Sequence, residues 1–305
     1  MAGRFGRLSV LSPNLLPLLR ELGDLKRIRS AGRDGTIATR LFEAGWSDWL
    51  AGGDMVSIAW RSMAHAVAAA RLGDLDDRTL MELGLSADRR RTVLERAIDE
   101  VAGPLDPQLV AMLKAATQVA LLPSTPLFDP IAALRHQPRA GVTGPGRPRI
   151  MLQPEENHAE HSFVVALYAG LLAPAYDADP ARAFWHGMIH HLHSAAMPDA
   201  GFTGEVLLGD DLDVVIENAR NIALSALPDH AATICRDHLS AIADDTSPSA
   251  RAFHAGDVID RVVEIEQHLK RSAVTMDVVL DDYGLVHDGP VKPFHDRVLD
   301  EIGLP

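Results

Sequence analysis

Apolar residues recur every three or four positions along most of the chain, and alternating runs of Val, Ile and Thr are scarce. That period predicts helices rather than strands, and hence an all-α fold. Helices are expected over residues 14–30, 36–51, 54–72, 76–84, 86–102 and 106–121. In the second of these, Ile37, Leu41, Ala44 and Trp49 supply apolar positions. A second set is expected over 155–174, 179–195, 210–226, 229–243 and 248–272, with a last helix near 292–302. Between the sets, residues 123–148 hold six prolines and three glycines without a sustained helical period, which reads as a linker or an irregular surface loop.

Histidine changes this picture most. Six of the 14 histidines, His158, His161, His186, His190, His191 and His193, fall between residues 158 and 193. Neutral imidazole is the commonest protein ligand for divalent transition metals, and several must converge to hold one. On an unbroken helix His186, His190 and His193 share a face, with His191 turned away by about 100°. Apolar neighbours such as Phe163, Leu167, Phe184, Trp185 and Ile189 imply that these helices are buried on at least one side. Burying several imidazoles without partners is costly, so the set points to a metal.

The segment ENHAEHSFVVALYAGLLA (156–173) resembles the first metal helix of the HD superfamily, especially its 5′-deoxynucleotidase-like branch. There a Glu-Asn/Ser-x-x-Glu-His-Ser motif opens a long apolar helix and its His is a ligand, which implies that role for His161. GMIHHLHSA (187–195) is similar to the segment with the family's His-Asp pair and implies a ligand at His190. ARAFHAGDVIDRVVE (250–264) resembles the late helix whose Asp closes the site, here Asp257. LRELGDLKRIRSAGRDGTIATRLF (19–42) resembles the branch's opening helix, whose basic turn contacts substrate phosphate; Arg27, Arg29 and Arg33 could grip an anionic substrate, with Arg29 and Arg33 the leading candidates. The family's diagnostic Asp is His191 here, and Ser194 stands where a further acidic residue is usual. Either His191 replaces the Asp as a ligand, or His193 and a carboxylate from Asp199 or Glu205, on the glycine-rich loop expected over PDAGFTGE (198–205), complete the site. His230, His238 and His254 are further candidates if two metals are held.

The remaining composition narrows the function. The net charge of -13 argues against a nucleic-acid polymer as partner but allows a small anionic substrate beside a bound cation. A single cysteine, Cys235, rules out an intrachain disulfide and a thiolate metal site, and fits a reducing, cytoplasmic setting. No run of 18 apolar residues predicts a membrane span, and no GxSxG elbow is present. Residues 1–50 are expected to pack on the HD core and 147–305 to form the metal-binding domain. Residues 51–146 are expected to be a helical insertion followed by the proline-rich linker, with 51–122 capping the site or forming a homodimer interface. The resemblance implies a divalent transition metal ion (Fe, Mn, Co, Ni or Zn) and a phosphohydrolase acting on a nucleotide or other small phosphoester, with Asp199 or Glu205 as general acid or base. The alternatives are an oxygenase with two irons, similar to myo-inositol oxygenase, and a degenerate, non-catalytic HD protein.

Overall fold

The computed structural model describes residues 11–117, 127–269 and 275–305. Among them the fold is all-α, with two isolated β-bridges pairing Pro138 with Asn157 and Val142 with Ile150. The opening segment is α1 (Leu16–Gly23) between two 3-10 turns, Pro13–Leu15 and Asp24–Lys26, so the helix ends earlier than its period suggested. Then follow α2 (Ile37–Leu50), α3 (Met55–Leu72), α4 (Asp77–Glu82), α5 (Ala87–Val101) and α6 (Pro107–Ala116). Thr36, Asp54, Asp76 and Asp106 start four of them by accepting hydrogen bonds from first-turn N–H groups. The expected continuation of α6 to residue 121 and the start of the proline-rich stretch lie outside the described residues. In the remainder of that stretch the loop expectation is corrected, because Asp129–His136 forms α7. Pro130 sits in its first turn, where a missing N–H costs nothing, so this proline starts a helix instead of breaking one.

The second half contains α8 (His158–Leu172), α9 (Pro180–Ile189), α10 (Gly201–Leu208), α11 (Leu212–Ser225), α12 (Asp229–Ala241), α13 (Pro248–Leu269) and α14 (Lys292–Ile302). Residues 270–272, expected to extend α13, lie outside the described residues. Two expectations here are corrected. The helix through the histidines stops at Ile189 and gives way to a 3-10 turn over Leu192–Ala195. The glycine-rich segment after Asp199, expected as a loop, opens α10.

All residues of α8 are buried, as suits a helix apolar on every side. It runs through the core, walled by α9, α13 and α2. Trp46, Trp49 and Trp185 pack together beside it, with ring centroids 5.0–5.9 Å apart. Two glycines let the walls approach. A Cβ on Gly187 of α9 would lie 2.4 Å from Cα of Ala166, and one on Gly256 of α13 would lie 2.8 Å from the backbone nitrogen of Ala169. Gly187 precedes His190 by one turn and Gly256 directly precedes Asp257, so the closeness of these helices sets the spacing of the candidate ligands. No helix among the described residues is long and apolar enough to cross a membrane.

Gly187→Ala and Gly256→Ala should each lower the unfolding free energy by about 1–3 kcal/mol, the usual cost of forcing extra atoms into a packed core. Thermal melting checks this; unchanged melting in both variants contradicts the close approach.

Candidate metal centre

The start of α8 is fixed from two directions. Asn157 and Glu160 form a reciprocal capping box, and Glu160 Oε1 also accepts hydrogen bonds from Thr36 (2.8 Å) and Thr39 (3.2 Å) at the start of α2. The next residue, His161, is 1% exposed. Its Nδ1 donates to Asp260 Oδ2 at 2.8 Å. Its Nε2 therefore looks the other way, 3.3 Å from His190 Nε2 and 3.4 Å from Asp257 Oδ1. His190, at the end of α9, donates Nδ1 to the carbonyl of Gly187 at 2.7 Å, since a carbonyl can only accept. Both rings thus have one nitrogen anchored and the other presented to a shared point. Metal-binding histidines are oriented in this way.

His191 stands beside them because the helix ends at His190. His161, His190 and His191 each bring a ring nitrogen within 4.8 Å of the others. Arg139, from the loop after α7, donates to His191 Nε2 at 2.9 Å, while His191 Nδ1 is buried without a hydrogen-bond partner among the described residues. His158 packs on His191 with ring centroids 4.6 Å apart, and its Nε2 lies 3.5 Å from Asp199 Oδ2. His193 is on the 3-10 turn, its Nδ1 buried with no hydrogen-bond partner among the described residues. The shared helical face expected for His186, His190 and His193 is not formed. His186 instead turns to His238 (Nδ1 to Nδ1, 3.0 Å) and Ser249 (3.2 Å).

Charge sets the protonation of the cluster. Burial, then neighbouring positive groups, hold His190 and His191 well below the usual histidine range, so each keeps a lone pair, at Nε2 of His190 and, where it accepts from Arg139, at Nε2 of His191. For His161, burial and Arg139 oppose protonation, but Asp257, Asp260 and Glu156 outweigh them and push its pKa up. Burial pushes the Asp257 carboxyl up, yet Arg261 at 2.9 Å and His161 hold it well below the usual carboxylate range. Behind His161, Lys26 Nζ lies 2.7 Å from Glu156, 2.8 Å from Asp260 and 2.8 Å from Glu264. Imidazole and carboxylate donors, mostly buried and converging from three helices, fit a first-row divalent ion.

The pocket in front of this cluster, of about 170 Å³, also takes in Asp199, Glu205, Arg139 and Arg261. Asp199 and Glu205 are therefore brought to the site, whereas Arg29 and Arg33 are not. Arg29 is exposed, and Arg33 lines a separate cavity where it donates to Asp76 at 2.7 Å. The basic groups that reach the site from the opening segment are Lys26, which sequence reasoning passed over, and Arg27, which donates to the pocket residue Glu264 at 2.6 Å. Sequence reasoning also missed Arg139, Arg261 and Asp260. Asp260 and Arg261 carried a signal, lying three and four residues beyond Asp257 and so on the same helix face.

Residues 131–285, about half the chain, match the sequence model of the HD domain family. The chain belongs to the HD domain family. No curated protein and no solved structure matches it. The HD match runs from α7 through α13 and so contains His161, His190 and Asp257.

The buried histidines predict an acid transition in the metal-free HD protein. Burial lowers His158, His193 and His238 to about 4 and His186 to about 3, and holds His190 and His191 lower than an unfolded chain would. Below about 6.5 the unfolded chain binds more protons than these sites do, so their stabilisation is complete above that pH and lost towards pH 4. His161 works in reverse, stabilising below about 6.5 and fading as pH rises through its raised folded value. Burial lowers His254, His287 and His295 as well, so with nine groups against one, melting temperature should fall steeply from pH 6.5 to 4. A flat profile in that window contradicts the buried, neutral state of the cluster.

Proposed function

We propose that this HD protein is a metal-dependent phosphohydrolase acting on a nucleotide or another small phosphoester, close to the 5′-deoxynucleotidase-like branch. The observation that carries the reading is the convergence of His161 Nε2, His190 Nε2 and Asp257, with both imidazoles anchored through their far nitrogens. These three residues would hold the ion, and His191, in the position of the family's Asp, would be the fourth donor through the Nε2 lone pair that now accepts from Arg139, once that guanidinium turns to the substrate. When bound, a divalent ion such as Mn, Fe, Co, Ni or Zn polarises a phosphoryl oxygen and acidifies water.

The chain's own residues divide the remaining work. Arg139 and Arg261 border the same pocket and supply the positive field for the phosphoryl group, the role first expected of Arg29 and Arg33. Burial, then the Asp199 charge, push the Glu205 carboxyl up. Glu205 therefore keeps its proton closer to neutral pH and donates it to the leaving-group oxygen. Asp199 is unsuited to that task. Burial pushes it up, but His158, Arg139 and the N–H groups of Ala140 and Gly201 hold it well below the usual range. It stays charged and orients His158 and Arg139. Phe202, stacked on His287 at 3.8 Å, forms a wall of the pocket with Leu285 and Ile265 that suits the organic part of the ester.

A single ion is favoured over two irons. His230 is exposed, His238 faces His186, and His254 Nε2 donates to the carbonyls of Ile242 and Asp244. None of the three presents a nitrogen to the cluster among the described residues.

Purified protein loaded with Mn²⁺ should release phosphate from p-nitrophenyl phosphate or nucleoside 5′-monophosphates. His161→Ala and Asp257→Ala should lose the metal, while His136→Ala, an exposed residue at the end of α7, should keep it. Glu205→Gln should keep the metal and lose about 10²–10⁴-fold in kcat. A fully loaded protein that hydrolyses none of these esters supports a non-catalytic role instead. Equal metal content in the three alanine variants removes the ligand assignment.

A further inference from the structure

A second cavity, of about 620 Å³, lies apart from the metal pocket and is several times larger. It is a half-open cleft bordered by the start of α2 and by α3, α4 and α5. Its apolar wall is built from Ile37, Leu41 and Ala44 of α2, Ala68 and Leu72 of α3, and Leu94 of α5. On α2 these residues follow i, i+4 and i+7 spacing, so one stripe of the helix faces the cavity. A volume of several hundred Å³ with a mainly apolar lining is the usual form of a small-molecule site.

The polar rim shows what such a molecule cannot be. Arg33 donates to Asp76 at 2.7 Å, Arg90 to Asp77 at 2.7 Å and Arg135 to Glu43 at 3.1 Å, and Arg40 is bound to Asp74. Arg78 donates to Glu82 at 2.8 Å. Every arginine lining the cavity is thus matched to a carboxylate, and a phosphate or carboxylate ligand would have to break a pair that is already formed. This is the opposite of the metal pocket, so the occupant is neither the phosphoester nor its product. The way in is apolar as well. Leu75 and Met81 stand at the edge, 45% and 52% exposed, and the unbranched methionine can swing aside.

The same helix connects the cavity to the metal centre. Ile37, Leu41 and Ala44 face the cavity, while Thr36 and Thr39, on the other side of the same turn, hold Glu160, the residue before His161. We propose that this cavity is a second binding site, for an uncharged, largely apolar small molecule, and that α2 transmits its occupancy to the metal centre.

The probe is N-phenyl-1-naphthylamine, an uncharged fluorophore that brightens in apolar surroundings. The protein should bind one equivalent saturably, with or without EDTA, so this part holds whether or not the metal assignment does. Inorganic phosphate should not displace the dye. Ala44→Trp, at a half-buried position, should fill the cavity and weaken dye binding at least tenfold (about 1.4 kcal/mol) with an unchanged circular dichroism spectrum. Ala68→Leu serves the same purpose if that variant misfolds. Saturating dye should shift the Kd for Mn²⁺ about fivefold or more. Absence of saturable binding, equal binding by the filled variants, or displacement by phosphate overturns the site. An unchanged Mn²⁺ Kd with the dye bound overturns the coupling.

Discussion

Three carboxylates cannot be buried side by side without a cation, and in this chain the cation is the ammonium of Lys26. Its contacts with Glu156, Asp260 and Glu264 remove it almost wholly from water, with a side-chain exposure of 3%. Burial alone would strip its proton, but the three acids outweigh burial and raise its pKa well above the ordinary value. Removing one partner from such a buried group leaves an uncompensated charge and typically costs about 3–5 kcal/mol. The arrangement matters because Asp260, held by Lys26, grips Nδ1 of His161. With that nitrogen committed, Nε2 can only face His190 and Asp257. Lys26 closes the turn after α1, so the opening segment joins the candidate metal centre through this ammonium and, at its edge, through Arg27, which donates to Glu264 at 2.6 Å, and not through Arg29 or Arg33.

The rest of the site follows from how closely the helices approach. Glycine at 187 and 256 brings α9 and α13 against the backbone of α8. The end of α9 at Ile189 then frees His191 from a helical direction that would have carried it away from His190. Adjacent histidines can therefore point at one region. The cost is a buried set of neutral imidazoles, several with an unpartnered nitrogen among the described residues. Groups of this kind are costly to bury unless something binds them, which a divalent ion does.

The fold was largely legible in the sequence because amphipathic periods and side-chain caps act locally. The helices expected from residues 36, 54 and 155 begin at Ile37, Met55 and His158, close to the bounds their periods gave. His161, His190 and Asp257 were legible through short motifs in the right order. What was hidden depends on end effects and on distant contacts. Pro130 looked like a breaker because its position within a first turn cannot be read from its presence. Arg33 looked suited to a phosphate, but Asp76, 43 residues along the chain, had already claimed it. Arg139 reaches His191 across 52 residues and Lys26 reaches Asp260 across 234, distances over which no periodicity speaks.

The most direct test of the account is the position of the ion itself. Crystals of the full chain grown with Zn²⁺ and measured at the zinc edge should show one strong anomalous peak, with Nε2 of His161 and His190 and a carboxylate oxygen of Asp257 each about 2.0–2.2 Å away. A peak beside Glu156 and Asp260 in place of Lys26, or a bound ion that leaves His161 Nε2 without a bond to it, would contradict the account.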